Sequence, residues 1–198
     1  MKNRKVLLLA AAALVVLVAG ASLLYPRLAA KTETGELAPQ GETVDSGVEV
    51  VEKEEPKGVK APDFTAYDRE GDPVKLSDYF GTPIVLNFWA SWCPPCQGEM
   101  PEFEQMWQKY EGRVQFLMVN QTDGSRETVQ TALEFVDRGE YTFPVLLDSG
   151  LQGAYAYGVN ALPMTFFIDA EGNLITYAAG GITASVIELG ISMICTEE

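Results

Sequence analysis

The chain has 198 residues, of which 28 are acidic and 14 basic, giving a formal net charge of −14 at pH 7, and it contains three cysteines and no histidine. Without histidine it cannot form Ser-His or Cys-His nucleophile pairs or histidine-ligated zinc or haem sites. Three thiols are too few for an all-cysteine zinc site or a multi-bridge disulfide framework. The negative charge repels phosphate backbones, so we expect no nucleic-acid partner.

Residues 1–30 are predicted to form a signal-anchor, that is, an N-terminal transmembrane helix. The run 6–24 holds 19 uncharged residues, and at 1.5 Å per residue it nearly spans a hydrocarbon core of about 30 Å. Lys2, Arg4 and Lys5 precede the run and favour a cytoplasmic amino terminus, which places the rest of the chain outside the cell membrane. Alternatively, the small residues at 19–21 are the cleavage site of a removed signal peptide, and the protein is secreted.

An acidic linker and one domain are predicted to follow. Residues 31–58 carry eight acidic and three basic residues and no aromatic group, a composition that buries too little apolar surface to offset chain ordering. A short strand through Val48, Val50 and Val51 is the alternative for this stretch. Residues 59–198 have the length of a single domain.

Residues 59–198 alternate between strand and helix periodicity. The predicted elements, in chain order, are a hairpin of 64–67 and 73–76, a buried strand at 84–90, a helix through 103–110, a strand at 114–119, a helix around 129–136, a strand at 143–147, a hairpin of 165–168 and 174–177, and a helix from 183 to 194. Ser125 is the expected N-cap of the second helix, with Glu127 in its first turn, and Thr183 is the expected cap of the last. This order predicts an α/β fold with a central mixed β-sheet flanked by helices.

Cys93 and Cys96 form a Cys-Pro-Pro-Cys sequence between the predicted buried strand and the helix that follows it. A helix start directs free N–H groups and its positive dipole end toward the preceding residues, which stabilises an anion there and lowers a thiol pKa. Two cysteines three residues apart can close a tight disulfide. We therefore expect a redox-active pair that needs no other cofactor, in which Cys93 attacks as an accessible thiolate and Cys96 resolves.

The residues alone leave other roles open for the cysteines. Half of a zinc site would need a second pair, and only Cys195 remains. A purely structural disulfide has the same spacing, although a strand-to-helix junction is typical of redox pairs. Cys195 ends an apolar helix and is expected to be a buried small side chain, with a reactive or intermolecular thiol as the alternative.

Three segments together resemble the TlpA/ResA-like branch of the thioredoxin superfamily, the membrane-tethered thiol–disulfide oxidoreductases. They are FWASWCPPC at 88–96, GEMP at 98–101 and GVNALPMTFFIDAEGN at 158–173. The resemblance implies a thioredoxin-like fold over about residues 61–190. It also implies that Pro163 forms a cis peptide bond beside the active site and presents the preceding backbone to an extended substrate. Pro101 matches a proline that kinks the active-site helix.

The same resemblance singles out two polar positions. Glu99 lies three residues after Cys96 on one helix face, where ResA-like proteins have a carboxylate beneath the cysteines that influences their proton transfer. We expect Glu99 to exchange a proton with Cys96 or Cys93; a solvated glutamate is the alternative. Asn87 replaces a buried acid of thioredoxin, so Glu99 is left as the carboxylate for proton handling. Asn87 is alternatively a plain hydrogen-bonded strand residue.

Residues flanking the pair are expected to contact the client protein. Trp92 is predicted to form a partly exposed rim of the docking surface, whereas Trp89 is assigned to the core. Pro94 and Pro95 lie between the cysteines, and Leu162 precedes the expected cis proline. Because the two prolines lack N–H groups, they cannot solvate a thiolate of the pair. This predicts a couple in the reducing part of the range from about −270 to about −120 mV that such pairs span.

The combined prediction is an extracytoplasmic, membrane-anchored thiol–disulfide oxidoreductase that reduces disulfides of exported proteins. By resemblance, its clients include the haem-binding thiols of apocytochrome c, and a transmembrane thiol carrier supplies its electrons. One alternative is a tethered client-binding or redox-sensing module without turnover. Another is a peroxide-reducing relative, which would have a threonine three residues before the reactive cysteine, where this chain has Ala90.

Overall fold

Residues 59–195, the part of the chain that the computed structural model describes, form eight strands and four α-helices. The strands are β1 Val59–Lys60, β2 Thr65–Tyr67, β3 Pro73–Lys75, β4 Ile84–Trp89, β5 Gln115–Asn120, β6 Val145–Leu147, β7 Met164–Ile168 and β8 Asn173–Ala179. The helices are α1 Pro94–Tyr110, α2 Val129–Arg138, α3 Gln152–Ala156 and α4 Ala184–Ile194, and a 3-10 helix spans Leu76–Tyr79.

The predicted transmembrane helix at 1–30, the predicted linker at 31–58 and the alternative strand around 48–51 lie outside the described residues. Residues 196–198 lie outside them as well. Among the helices of residues 59–195, none combines the length and the apolarity that crossing a bilayer requires.

The sheet is mixed, as the element order predicts. Its strands lie in the order β1-β8-β7-β4-β5-β6-β2-β3. The neighbours β4, β5 and β6 run parallel, and the other pairs are antiparallel. All six residues of β4 are buried, as expected for a central strand covered on both faces. The carboxyl ends of β4 and β5 and the amino end of β7 therefore lie along one edge of the sheet.

Alternate side chains of β4 lie in separate apolar clusters, because successive side chains of a strand point to opposite faces. Val85 and Trp89 belong to the cluster that contains buried residues of α1, α2 and α4. Leu86 and Phe88 belong to a second cluster, which includes residues of the amino-terminal hairpin and the segment after α3. The same alternation directs Asn87 to the face covered by α1.

Helix α2 begins later than the sequence predicts. Its N-cap is Thr128, whose hydroxyl accepts the backbone N–H of Thr131 at 3.1 Å. The prediction of Ser125 as the cap is wrong, because the Asp123 carboxylate accepts the N–H groups of residues 125–127 and holds them in a turn before the helix. The placement of Glu127 in the first turn is wrong for the same reason, and its side chain is fully buried.

The other predicted elements are confirmed with small changes at their ends, and the sequence analysis missed β1 and the short helix α3. Thr183 is the N-cap of α4, but its side chain makes no capping hydrogen bond. The carboxylate of Glu102 in α1 instead accepts the N–H of Ala184 at 2.8 Å. The amino end of α4 is therefore stabilised by a residue of the helix it packs against.

The contact between α4 and the sheet can be tested at Gly190, where an added Cβ would overlap the ring of Phe167 in β7. We expect Gly190→Ala to lower the free energy of unfolding by about 1–3 kcal/mol, because the overlap outweighs the gain in helix propensity. Gly98→Ala in α1 is the matched control, since an added Cβ there has no neighbour within 4 Å. Chemical denaturation measures both, and equal effects would contradict the close packing of α4.

Candidate active site

Cys93 and Cys96 lie at the start of α1, directly after the buried strand β4. They form a disulfide, and their Cα atoms are 5.2 Å apart. Cys93 is the N-cap residue of α1, and its sulfur accepts the backbone N–H of Cys96 at 3.3 Å. Cys93 therefore lies at the positive end of the helix dipole, as the sequence predicts, but Pro94 and Pro95 leave the Cys96 N–H as the donor of the first turn that reaches its sulfur.

The sulfur of Cys93 is less accessible than the sequence predicts. In this disulfide form Cys93 is only 3 % exposed and Cys96 is fully buried, and both belong to the apolar cluster under α1. The Cys93 sulfur is bonded to a buried sulfur and turned toward the helix, which removes it from solvent. Pro94 and Pro95, between the cysteines, are exposed and form the part of the motif that a partner meets first.

Glu99 lies one turn beyond Cys96 and is buried, so the alternative of a solvated glutamate is wrong. Its Oε1 accepts a hydrogen bond from Nδ2 of Asn87 at 2.9 Å, and its Oε2 accepts the N–H of Ile182 at 3.0 Å. Asn87 also donates to the hydroxyl of Thr165 at 3.0 Å, its partner in the β4–β7 register. Glu99 thus joins the cysteine helix to the sheet and to the segment before α4.

Burial raises the pKa of Glu99 to about 7, and the hydrogen bonds from Ile182 and Asn87 oppose this rise. A carboxyl group with such a pKa exchanges its proton readily near neutral pH. It lies one turn from Cys96 on the same helix, so the site contains a buried carboxyl group that can change its protonation state near neutral pH.

The loop before β7 contains a cis peptide bond between Leu162 and Pro163, as the resemblance implies. The register of β4 and β7 pairs Phe88 with Met164 and so places this bond at the edge of the sheet where β4 leads to Cys93. Leu162 is half-buried and contacts the apolar clusters on both faces of the sheet.

The segment between β8 and α4 lies against Pro95 of the cysteine motif. Gly181 lies so near Pro95 that an added Cβ would be 3.2 Å from the Pro95 carbonyl oxygen. Glu99 and Glu102 of α1 both accept N–H groups of this segment, those of Ile182 and Ala184. Two carboxylates of the cysteine helix therefore hold this segment beside the exposed prolines.

Trp92 is half-buried and packs against the apolar cluster that contains both cysteines, while Trp89 is fully buried in that cluster. The guanidinium group of Arg126 lies over the Trp92 ring, 3.4 Å from its centre. This cation–π contact is not predicted by the sequence, because nothing in the local pattern relates Arg126 to a residue more than thirty positions earlier.

Glu127 is the second buried carboxylate near the site. Its Oε1 accepts the backbone N–H of Ser91 at 3.1 Å and Nδ2 of Asn120 at 2.9 Å, and its Oε2 accepts the Ser91 hydroxyl at 2.8 Å. The sequence predicts Glu127 only as a residue of the first turn of a helix. The signal that could have identified it is its position shortly after a strand parallel to β4, because the carboxyl ends of parallel neighbours meet at one edge of a sheet.

Cys195 is the C-cap residue of α4, far along the chain from the pair, and its thiol is free. It is half-buried against the apolar cluster under α1, and burial raises its pKa. Within residues 59–195, no three His, Cys, Asp or Glu side chains converge in a way that could ligate a metal ion.

Comparison with known proteins agrees with this geometry. Residues 57–177 match the AhpC/TSA family. The chain is 36% identical to the thiol–disulfide oxidoreductase ResA of Halalkalibacterium halodurans over 141 aligned residues. The aligned region covers 71% of this chain and 78% of that protein. The fold and the cysteine pair define a thioredoxin-fold thiol–disulfide oxidoreductase of the ResA and DsbE type. The chain belongs to the AhpC/TSA family.

Two solved structures have the same fold. A Chlorobium tepidum protein, assigned as the thiol:disulfide interchange protein DsbE, superposes with a TM-score of 0.62 at 35% identity, covering 69% of this chain and 95% of that one. A secreted Mycobacterium tuberculosis disulfide oxidoreductase homologous to Escherichia coli DsbE superposes with a TM-score of 0.58 at 26% identity, covering 65% of this chain and 94% of that one.

The buried position of Glu99 predicts a pH dependence of stability. Its pKa rises from 4.5 to about 7 on folding, so between these values the folded state retains a proton that the unfolded state has lost. The free energy of unfolding should therefore fall as the pH rises through this window, by about 3 kcal/mol at about 1.4 kcal/mol per pH unit.

Glu99→Gln should remove this fall. The difference in the free energy of unfolding between variant and parent should therefore change between pH 4.5 and 7. Urea denaturation of the disulfide form at several pH values measures the effect. Glu102→Gln, which removes a carboxylate from the same helix, is the control. Parallel pH curves for parent and Glu99→Gln would contradict the shifted titration.

Proposed function

We propose that the chain reduces disulfide bonds of exported proteins through the Cys93–Cys96 pair. The observation that carries this proposal is the placement of a disulfide at the start of α1, with Cys93 as the N-cap residue. The helix dipole and the Cys96 N–H, which donates to the Cys93 sulfur, favour a thiolate at this position, so Cys93 is proposed as the attacking sulfur of the reduced form.

The proposed reaction moves two electrons and two protons from the enzyme dithiol to the client disulfide. The Cys93 thiolate attacks one client sulfur and releases the other as a thiol, which leaves a mixed disulfide. Cys96 then loses its proton and attacks the Cys93 sulfur, which releases the second client thiol and closes the Cys93–Cys96 disulfide. A dithiol donor restores the enzyme by the reverse exchange.

Glu99 is proposed to accept the Cys96 proton during the resolving step. Cys96 is fully buried, so bulk water cannot take the proton directly. Glu99 lies on the same helix face, and its pKa of about 7 suits proton transfer near neutral pH.

The proposed direction, reduction rather than oxidation, rests on how few donors reach the Cys93 sulfur. Pro94 and Pro95 have no N–H groups, and the hydrogen bond to this sulfur comes from the Cys96 N–H. A thiolate with few donors is less stabilised, and a dithiol with a less stabilised thiolate is a stronger reductant. A reduction potential near the oxidising end of the family's range would reverse this direction.

The proposed client surface consists of the groups that border the cysteines. Pro94 and Pro95 are exposed, and Trp92 and Leu162 are half-buried on either side of the pair. A partly exposed aromatic side chain and a short apolar rim are typical of protein docking surfaces. These residues stand between the buried Cys93 sulfur and an approaching client.

The proposed location is the outer side of the cell membrane, with residues 1–30 as the anchor. It is supported by the uncharged run at 6–24 behind three basic residues and by the similarity to an oxidoreductase described as secreted. Electrons would then come from a transmembrane thiol carrier, and apocytochrome c is one proposed client. Both follow from the resemblance to the TlpA/ResA-like branch.

Trapping the intermediate tests the client and the role of Cys93 together. We expect Cys96→Ser, expressed as the full-length chain, to accumulate mixed disulfides with exported proteins through Cys93, because the resolving thiol is absent. Non-reducing electrophoresis followed by mass spectrometry identifies the attached proteins. A Cys195→Ser background is the control, and adducts that persist in a Cys93→Ser, Cys96→Ser double variant would contradict the assignment.

Turnover with insulin separates the proposed enzyme from a non-catalytic module. The parent with a dithiol should reduce insulin repeatedly, whereas a client-binding module would bind without turnover. Hydrogen peroxide tests the peroxide-reducing alternative, for which the threonine expected three residues before Cys93 is replaced by the buried Ala90. We expect insulin reduction and no comparable peroxide reduction.

Glu99→Gln should slow the resolving step by about tenfold or more, because general acid–base groups contribute at least that much. Rapid-mixing measurements of mixed-disulfide decay across pH 5.5–8.5 should lose the inflection near pH 7 that the parent shows. Glu102→Gln, on the same helix but bonded to Ala184, is the control. An unchanged pH profile for Glu99→Gln would exclude the proton-transfer role.

A further inference from the structure

Glu127 holds the segment that leads into Cys93, although it belongs to a loop 36 residues beyond Ser91. It is fully buried and accepts both donors of Ser91, the backbone N–H at 3.1 Å and the hydroxyl at 2.8 Å. It also accepts Nδ2 of Asn120 at the end of β5, at 2.9 Å. One carboxylate thus ties the strand beside β4 to the residue two positions before the attacking sulfur.

The Ser91–Cys93 segment is fixed on its other side as well. The carbonyl oxygen of Ser91 accepts Nε2 of Gln97 in α1 at 2.6 Å, and the N–H of Cys93 donates to the Ala90 carbonyl at 3.2 Å. Both backbone polar groups of Ser91 therefore bond to side chains. The position of Cys93 relative to the helix start depends on this arrangement, and Glu127 supplies two of its hydrogen bonds.

The three groups that donate to Glu127, the N–H and hydroxyl of Ser91 and the amide of Asn120, are all neutral. Among residues 59–195 the ion pairs are Arg69–Asp137 and Lys109–Glu188, so the charge of Glu127 is not paired there. A buried charge without a counter-ion is costly, and a polar side chain could hold the loop without that cost. Holding the loop does not by itself require a charged side chain, so we expect the Glu127 charge to have an effect on the neighbouring cysteine pair.

We propose that Glu127 is a positioning residue whose buried negative charge disfavours the Cys93 thiolate and keeps the Cys93–Cys96 couple reducing. This inference rests on the proposed reducing function and extends it with the residue that sets its strength. A negative charge close to the thiolate in a low-dielectric interior raises the free energy of that anion. The dithiol then gives up its electrons more readily.

Other charged groups lie around Glu127. Arg126 precedes it and lies over the Trp92 ring, and Asp123 accepts the Glu127 backbone N–H at 3.0 Å. Glu99 is a residue of α1, and its carboxylate bonds to Asn87 and Ile182. Each of them is present in parent and variant, so a comparison of the two at the same pH isolates the charge of Glu127.

Glu127→Gln removes the charge and preserves the contacts. The amide oxygen can accept the Ser91 N–H and Asn120, while the amide NH₂ group can donate to the Ser91 hydroxyl, which then acts as acceptor. Glu104→Gln is the matched control. Glu104 also accepts a backbone N–H and a hydroxyl from one residue, Thr142, but it lies about 16 Å further along α1 than Cys93, at 1.5 Å per residue.

The dithiol–disulfide equilibrium with glutathione is measured from pH 6 to 9.5 for the full chain, together with the rate of Cys93 alkylation. At pH 9, where the thiolate is populated, we expect Glu127→Gln to shift the equilibrium about tenfold toward the dithiol, which is about 30 mV. The shift should shrink as the pH falls, because the charge of Glu127 acts on the thiolate and not on the protonated thiol. At pH 7 alkylation should be about threefold faster, because a larger thiolate fraction outweighs its lower nucleophilicity.

Stability measurements distinguish this role from a merely structural one. If Glu127 acts on the thiolate, Glu127→Gln should raise the free energy of unfolding of the reduced form relative to that of the disulfide form at pH 9. The size of this change should match the measured shift of the dithiol–disulfide equilibrium. Equal destabilisation of both forms, with an unchanged equilibrium and pH profile, would overturn the proposal. So would an effect of the same size in Glu104→Gln.

The test of Glu127 is independent of the test of whether the parent protein acts as a reductant or an oxidant. An oxidising potential in the parent would refute the proposed reducing function, whereas a reducing parent whose equilibrium is unchanged by Glu127→Gln would refute only the role of Glu127.

Discussion

The short connection between β4 and α1 is the constraint on which the rest of the site depends. β4 is buried along its whole length, so its path is fixed by the strands on either side and by the apolar clusters on both faces. Only Ala90, Ser91 and Trp92 separate its end from Cys93, the N-cap of α1. The position of the attacking sulfur is therefore a consequence of core packing, and the helix start supplies its electrostatic environment.

Two buried carboxylates, Glu99 and Glu127, lie near this connection. Glu99, under α1, accepts two hydrogen bonds, and burial nevertheless raises its pKa to about 7. Glu127, beside the loop, accepts three. Burying an acidic group costs free energy unless donors compensate, and both carboxylates have such donors. The domain combines an ordinary apolar core with an edge where buried polar groups surround the disulfide.

The elements around the pair are linked to one another through α1. Glu99 and Glu102 bond to the segment before α4, and Gln97 bonds to the loop after β4. A change in the position of the cysteine helix would therefore be felt both in the loop beneath Trp92 and in the segment beside Pro95. The hydrogen bonds of α1 therefore help to position both the exposed Pro94 and Pro95 and the half-buried Trp92.

The sequence by itself determined the element order, the mixed sheet, the cysteine pair at a strand-to-helix junction and the family, because these depend on local periodicity and on contiguous motifs. It also pointed to Glu99, whose spacing from Cys96 is local to one helix. Only the tertiary structure decided that Cys93 is shielded in the disulfide form, that Asn87 and Thr165 share a network with Glu99, and that Glu127 reaches Ser91. These contacts join residues from different strands and loops, and Glu127 precedes α2 because the helix has its N-cap three residues later than the sequence predicts, at Thr128. Such a shift is invisible in apolar periodicity, because it is set by the Asp123 carboxylate, which binds the backbone of residues 125–127 before the helix can start.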